Sequence, residues 1–222
     1  MTPTKDGLIT LTDPRSPVAE AYRTLRTNLY FSSLDRPIRT LVVTSAAPEE
    51  GKSTTLANLA VTIAQGGRRT ILADCDLRRP SLHEIFGVSN AQGLTTMMVE
   101  AGALAQPPLV ATGVDNLWLL PSGPLPPNPA ELLGSNRMDE VIAALKERAE
   151  MVLFDAPPVI AVTDAAVLAS KVDAVLLVVS VGRTRREPVQ RARAQLLRAG
   201  IRLIGAVLNN APLDSTLGGY YR

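Results

Sequence analysis

The segment APEEGKST, residues 47–54, follows an apolar run, precedes a helix-like run and carries the clearest chemistry in the chain. Consecutive backbone N–H groups in such a loop, with the positive end of the following helix, can cradle phosphate. A lysine then reaches the β and γ phosphates and the next hydroxyl ligates Mg²⁺. Ala47, Pro48, Glu49, Glu50, Gly51, Lys52, Ser53 and Thr54 are therefore the candidate nucleotide-binding residues. The common pattern G-x-x-x-x-G-K-[ST] has a first glycine whose place is taken here by Ala46. The order of strand, loop and helix carries the reading in spite of that departure.

Three carboxylates extend the pattern. MVLFDAPP closes an apolar run with Asp155, the expected place for an aspartate that helps hold Mg²⁺ and orient the γ phosphate. RTILADCDLRRP closes another with Asp74 and Asp76, whose i,i+2 spacing puts both on one side of an extended chain. The candidate metal set is Ser53, Asp76 and Asp155, and the candidate catalytic set is Lys52, Asp74, Asp76 and Asp155. Phosphoryl transfer needs charge neutralisation by Lys52 and Mg²⁺, plus a group that positions and deprotonates the acceptor, and Asp74 or Asp76 can be that group. A tyrosine hydroxyl, with a pKa of about 10, and a water both qualify as acceptors. These residues alone leave a kinase and an ATPase both open.

Smaller features flank them. Asn209 and Asn210, after the last apolar run, read equally as an adenine-edge contact and as a turn. Asp164 reads as the cap of the helix it starts and as a contributor to the site. Arg78 and Arg79 could bind phosphate or a partner's tail. His83 reads as a surface helical residue, and Cys75 and Trp118 as core.

The elements that must position these groups alternate regularly. IRTLVVTSA, RTILADCD, NLWLLPSG, MVLFDAPP, DAVLLVVSV and RLIGAVLNN read as six strands, with helical stretches at 17–31, 53–65, 81–86, 129–149, 164–170 and 187–199. In the helix at 17–31, Ala19, Tyr22, Leu25 and Leu29 form one stripe after a Ser16 cap and Pro17. Strands apolar on both faces, alternating with helices, imply an α/β fold with a largely parallel sheet flanked by helices on both faces. The ligand then sits beyond the carboxyl ends of the strands, where Asp74, Asp76 and Asp155 fall.

At this point a family resemblance becomes specific. APEEGKST, ILADCDLRRP and VLFDAPPV together resemble the P-loop protein tyrosine kinases of bacteria, a branch of the deviant phosphate-loop ATPases that includes the partitioning and cell-division-site ATPases. Those ATPases carry an extra lysine early in the loop, at the place of Ala47 here, and its absence favours the kinase branch. The resemblance implies a P-loop NTPase fold over residues 1–222, ATP and Mg²⁺ as cofactors, and a role in exopolysaccharide or capsule synthesis and export. EAYRTLRTN resembles the family's ring-assembly helix, which makes residues 16–31 the expected oligomerisation helix, with Glu20, Arg23 and Arg26 as its contacts. GGYYR resembles the family's tyrosine cluster, so residues 214–222 are the expected tail and Tyr220 and Tyr221 the expected phosphoacceptors, modified in trans. The family usually has more than two tyrosines there. The implied partners are other copies of the chain, the cytoplasmic tail of a membrane polysaccharide co-polymerase as activator, and a cognate tyrosine phosphatase. A ParA/MinD-like ATPase switch without kinase activity is the alternative.

Composition agrees with such a chain and excludes others. Of 222 residues, 46% are hydrophobic and 20% charged, as in a globular domain. One cysteine makes no internal bridge, and one histidine leaves the common zinc frameworks without ligands. No apolar window reaches the roughly 18 residues of a membrane span and the start lacks signal-peptide regions, so the expected compartment is the cytoplasm, with the membrane's inner face reached through a partner. The net charge of +2 hides a division. Residues 1–182 hold 15 Lys/Arg against 19 Asp/Glu, and residues 183–222 hold 8 against 2. Arg183, Arg185, Arg186, Arg191, Arg193, Arg198 and Arg202 carry most of that excess, either as a solvated helix surface or facing an anionic partner. With 4% aromatics and no finger, homeodomain or RRM signature, specific nucleic-acid binding is not expected.

Overall fold

A computed structural model describes residues 7–212 of the chain. The expected phosphoacceptors Tyr220 and Tyr221, and the rest of the 214–222 tail, lie outside the described residues. The described chain runs α1 (Ile9–Thr12), α2 (Pro17–Ser32), β1 (Thr40–Ser45), α3 (Lys52–Gln65), β2 (Thr70–Asp74), α4 (Leu82–Phe86), α5 (Leu94–Val99), a 3-10 turn (Ala101–Leu104), β3 (Val110–Ala111), β4 (Leu117–Leu120), α6 (Pro129–Gly134), α7 (Asn136–Arg148), β5 (Met151–Asp155), α8 (Asp164–Ala169), β6 (Ala174–Ser180), α9 (Arg186–Arg198) and β7 (Leu203–Asn209). The strands form one sheet in the order β3-β4-β2-β5-β1-β6-β7. All neighbours are parallel except β3 and β4.

Side chains alternate between the two faces of a strand, and the apolar core divides along that alternation. Leu41, Val43, Leu72 and Leu153 pack with Leu29 of α2 and Leu56, Leu59 and Ile63 of α3. Val42, Ile71, Val152 and Phe154 pack on the other face with Met97 of α5, Val141 and Leu145 of α7, and Leu196 of α9. Each such fully buried side chain contributes about 1.5–3 kcal/mol relative to exposure. Double-sided burial explains why these strands read as continuous apolar runs.

Helix α2 starts as its sequence indicates. The Ser16 hydroxyl accepts from the Ala19 N–H at 3.2 Å, and Pro17, which has no N–H to satisfy, opens the first turn. The single helix expected at 129–149 is instead two. Ser135 is extended (ψ 159°), which separates α6 from α7, and Gly134 sits where a Cβ would press on Val167 at 3.2 Å.

Four short elements had no clear sequence signal: α1, α5, the 3-10 turn and the two-residue edge strand β3. Helix α1, ITLT, is β-branched and poor in helix propensity. It is held by tertiary contacts, the Thr10 N–H and hydroxyl both donating to Asn58 Oδ1 of α3 at 3.1 and 2.8 Å. Trp118 is only partly buried, at the β4 edge of the core. His83 is half-buried rather than on the surface, because α4 is a single turn pressed onto the layer of α3, and its Nδ1 is buried without a hydrogen-bond partner.

Candidate active site

Parallel pairing brings the carboxyl ends of β1, β2 and β5 side by side, with Asp74 and Asp155 in register on adjacent strands. The phosphate loop crosses above them from β1 to α3. Its turn needs a left-handed backbone at Glu49 (φ 60°) and Gly51 (φ 81°), and Lys52 then opens α3, so the helix N-terminus points into the site.

Lys52 is the centre of the cluster. Its Nζ lies 2.9 Å from Asp76 Oδ2, 3.1 Å from Asp155 Oδ1 and 3.1 Å from Ser53 Oγ. The Ser53 hydroxyl donates to Asp155 Oδ2. Burial alone disfavours the Lys52 ammonium, but Asp155 and Asp76 more than compensate and hold its pKa above the ordinary lysine value. Burial pushes the Asp155 carboxyl up, against the pull of Lys52 and Ser53. Four of the predicted groups, Lys52, Ser53, Asp76 and Asp155, thus meet at one point.

The Asp74/Asp76 pair divides by position. Asp76 lines a cavity of about 460 Å³ together with Lys52, Ser53, Thr54, Arg78 and Arg79, while its Oδ1 accepts from the Arg79 N–H at 3.0 Å. Asp74 lies beneath, wholly buried. It accepts backbone N–H bonds from Asp76 at 3.2 Å and from Ser81 and Leu82 at 3.0 Å each, so it anchors the loop and the start of α4. Burial, then the nearby Asp155, pushes its pKa up to about 8. Cys75, between the two, is buried on the opposite face, as its position in the strand implies, and burial raises its thiol.

Other predicted residues fall at the rim or away from it. Asn209 Nδ2 donates to the Glu50 carbonyl at 3.0 Å, bracing the loop from the end of β7, and Asn210 Nδ2 donates to Ser180 Oγ at 2.9 Å. Asp164 does not cap α8, whose N-cap residue is Thr163 with no side-chain cap bond. It is fully buried instead and receives Arg78 in a two-pronged pair, Nε at 2.8 Å and Nη2 at 3.1 Å. On α2, Glu20 and Arg23 pair with each other at 2.7 Å, and Arg26 donates to the Thr62 carbonyl of α3 at 2.7 Å.

One residue of the loop has a role that was not anticipated. Glu50 is 2% exposed and turned away from the cavity. It accepts from the Ala47 N–H at 2.7 Å, the Ser180 N–H at 3.3 Å and the Thr184 hydroxyl, tying the loop to the end of β6. The available signal was electrostatic. Of two consecutive acids in an anion-binding loop, Glu49 stays open to solvent, and Glu50 has its charge engaged away from the phosphates.

Residues 41–211 match the CobQ/CobB/MinD/ParA nucleotide-binding domain family. Over 216 residues, 97% of this chain and 91% of the relative, the sequence is 42% identical to the tyrosine-protein kinase YwqD of Bacillus subtilis. The chain belongs to the bacterial tyrosine-protein kinases. Solved structures of these kinases share its architecture. The chimerical protein CapA2B2 superposes with a TM-score of 0.88 at 36% identity, covering 93% of this chain and 90% of that one. The kinase domain of the Escherichia coli tyrosine kinase ETK superposes with a TM-score of 0.84 at 31% identity, over 93% and 82%. The doubly covered parallel sheet and the loop at its carboxyl edge are therefore those of a tyrosine-kinase P-loop domain. No helix among the described residues is long and apolar enough to cross a membrane.

Proposed function

We propose that this tyrosine kinase moves the γ-phosphoryl group of ATP to tyrosine hydroxyls, beginning with Tyr220 and Tyr221 of another copy. The convergence of Lys52, Ser53, Asp76 and Asp155 beside an open cavity is the observation that carries this reading. The donor set suits Mg²⁺, since a hydroxyl and carboxylates are the hard oxygen ligands this ion takes. Ser53 and Asp155 would hold it, with Asp76 adjacent, and the ion would neutralise charge on the β and γ phosphates. The loop N–H groups from Glu49 to Thr54 bind the phosphates, and Lys52 follows the charge onto the transferring group. Asp76 takes the acceptor's proton, because it lines the cavity whereas Asp74 lies wholly buried beneath it. Asn209 and Asn210 offer their Oδ1 atoms to the adenine edge.

The same reading assigns Glu20, Arg23 and Arg26 to a contact between copies in a ring. The pairing of Glu20 with Arg23 on the exposed face of α2 suits that role, while Arg26 also joins α2 to α3. A membrane co-polymerase's cytoplasmic tail is the proposed activator, a tyrosine phosphatase the reversing enzyme, and exopolysaccharide or capsule export the process served.

Incubation with Mg²⁺ and ATP followed by mass spectrometry tests the reading. Phosphate on Tyr220 or Tyr221, lost in the Tyr220→Phe/Tyr221→Phe protein, is expected. ATP hydrolysis with no tyrosine modified on this chain or an added partner would instead establish an ATPase switch.

A further inference from the structure

The arginines near the C-terminus separate into two groups once folded. Arg202 is spent internally, donating to the carbonyls of Arg36 at 3.0 Å and Ser32 at 2.8 Å. Arg183, Arg185, Arg186, Arg191, Arg193 and Arg198 are all exposed. Helix α9 lies along the sheet on Ala192 and Leu196, so its outer half carries Arg186 and Arg193 along one flank and Arg191 and Arg198 along the other over about 20 Å, while Arg183 and Arg185 of the preceding loop line a cavity with Ala47, Pro48, Glu49 and Glu50 of the phosphate loop. Among the described residues, the only acidic partner of these six is Glu187, 3.9 Å from Arg191 and itself exposed. Leu197 sits among them, 47% exposed.

From this arrangement we propose that the outer face of α9, with the loop before it, is a docking surface for an anionic phospholipid bilayer. Guanidinium groups on both flanks of one exposed helix match a surface of repeating phosphates. A fluid bilayer can set its headgroups against any spacing of arginines, which a folded partner cannot. Residues 1–182 carry a net negative charge, so an anionic surface attracts this face and repels the rest, which fixes the orientation. Leu197 decides between lipid and nucleic acid. An exposed leucine among arginines gains by entering the headgroup layer, whereas a phosphodiester backbone offers it nothing, and no aromatic side chain stands on the face to stack on bases. The docked face also continues into the active site, because Thr184, between Arg183 and Arg185, bonds to Glu50 of the phosphate loop. Bilayer contact would therefore hold the mouth of the nucleotide site at a set angle to the membrane.

Vesicle co-sedimentation of the full chain tests this. At about 0.1 M salt the protein should pellet with phosphatidylcholine vesicles containing roughly 30% phosphatidylglycerol, and not with phosphatidylcholine alone. Arg191→Gln/Arg193→Gln/Arg198→Gln should weaken partitioning roughly 100-fold, with thermal midpoint and phosphoryl transfer unchanged, since all three point away from the site. Leu197→Ser should weaken it several-fold, roughly the effect of losing one buried aliphatic side chain. Equal binding to both vesicle types, no binding to the anionic ones, or an unaffected triple variant would overturn the proposal. Tighter binding to a short DNA duplex than to anionic vesicles, with the same sensitivity to the triple substitution but none to Leu197→Ser, would overturn it in favour of nucleic acid.

Discussion

Gly51 and Asn209 meet across the phosphate loop so closely that a Cβ built on the glycine would overlap the asparagine's amide nitrogen. That amide donates to the carbonyl of Glu50, the residue just before the glycine, so the brace requires the bare backbone. The left-handed φ of 81° at Gly51 adds a second reason for glycine.

Gly51→Ala should therefore cost nucleotide affinity at least tenfold and lower the thermal midpoint by several degrees, about 1–3 kcal/mol from backbone strain and displacement of Asn209. Asn209→Ala removes only the brace, and should weaken nucleotide binding less than Gly51→Ala does. Isothermal titration with a non-hydrolysable ATP analogue, alongside thermal melts, measures both.

Lys52→Met should lower phosphoryl transfer at least 100-fold while nucleotide still binds, because the loop N–H groups remain and the charge that follows the transferring group is gone. A rate within a few-fold of wild type in single-turnover measurements would remove Lys52 from the chemistry.

The two aspartates of the β2 loop should respond differently. Asp76→Asn should lower kcat by about 10²-fold or more with nucleotide affinity changed only a few-fold, as expected for loss of a proton acceptor. Asp74→Asn should show its main effect as lower stability, because it disturbs the anchor of Asp76, Ser81 and Leu82. Steady-state kinetics and urea unfolding on both variants separate these outcomes.

Asp74 also sets a pH signature. Its folded pKa, about 8, lies above the ordinary carboxyl value. The folded state thus binds the proton more tightly than the unfolded chain, and stability is lost as pH rises from about 4 through 8. Melts of the nucleotide-free protein should decline across pH 5–8, and the decline should be shallower in Asp74→Asn. A flat wild-type profile would show that the carboxyl is not protonated there.

Arg78→Ala leaves the buried Asp164 carboxylate without its cation and should destabilise the protein by about 1–2 kcal/mol, the half-exposed arginine being partly screened by water, whereas Arg78→Ala/Asp164→Ala should recover part of that. Arg78→Lys should rescue poorly, since a point charge cannot reproduce the two-pronged bond. A double-mutant cycle from urea unfolding reads the coupling.

Much of this molecule was legible without its structure. The apolar runs ending in Asp74 and Asp155, the Gly-Lys-Ser start of a helix and the Ser16-Pro17 cap all act within a few residues of chain. Residue type and spacing therefore predicted the parallel sheet, the phosphate loop and most helix positions. What the sequence could not state was which partner each polar side chain takes from a distant segment. Asp74 and Asp76 are alike in a sequence, and only the tertiary packing buries both while setting Asp76 at the cavity wall and Asp74 beneath it. Asp164 looked like a cap because a cap is the local use of an aspartate, and its actual partner, Arg78, lies 86 residues away. Glu50, Ser180 and Thr184 likewise meet only because β6 ends beside the loop. Local patterns are written in the order of residues, since backbone geometry converts spacing directly into direction. Hydrogen bonds and ion pairs between loops depend on which strand ends the sheet places together, and that is decided only when the whole chain has packed.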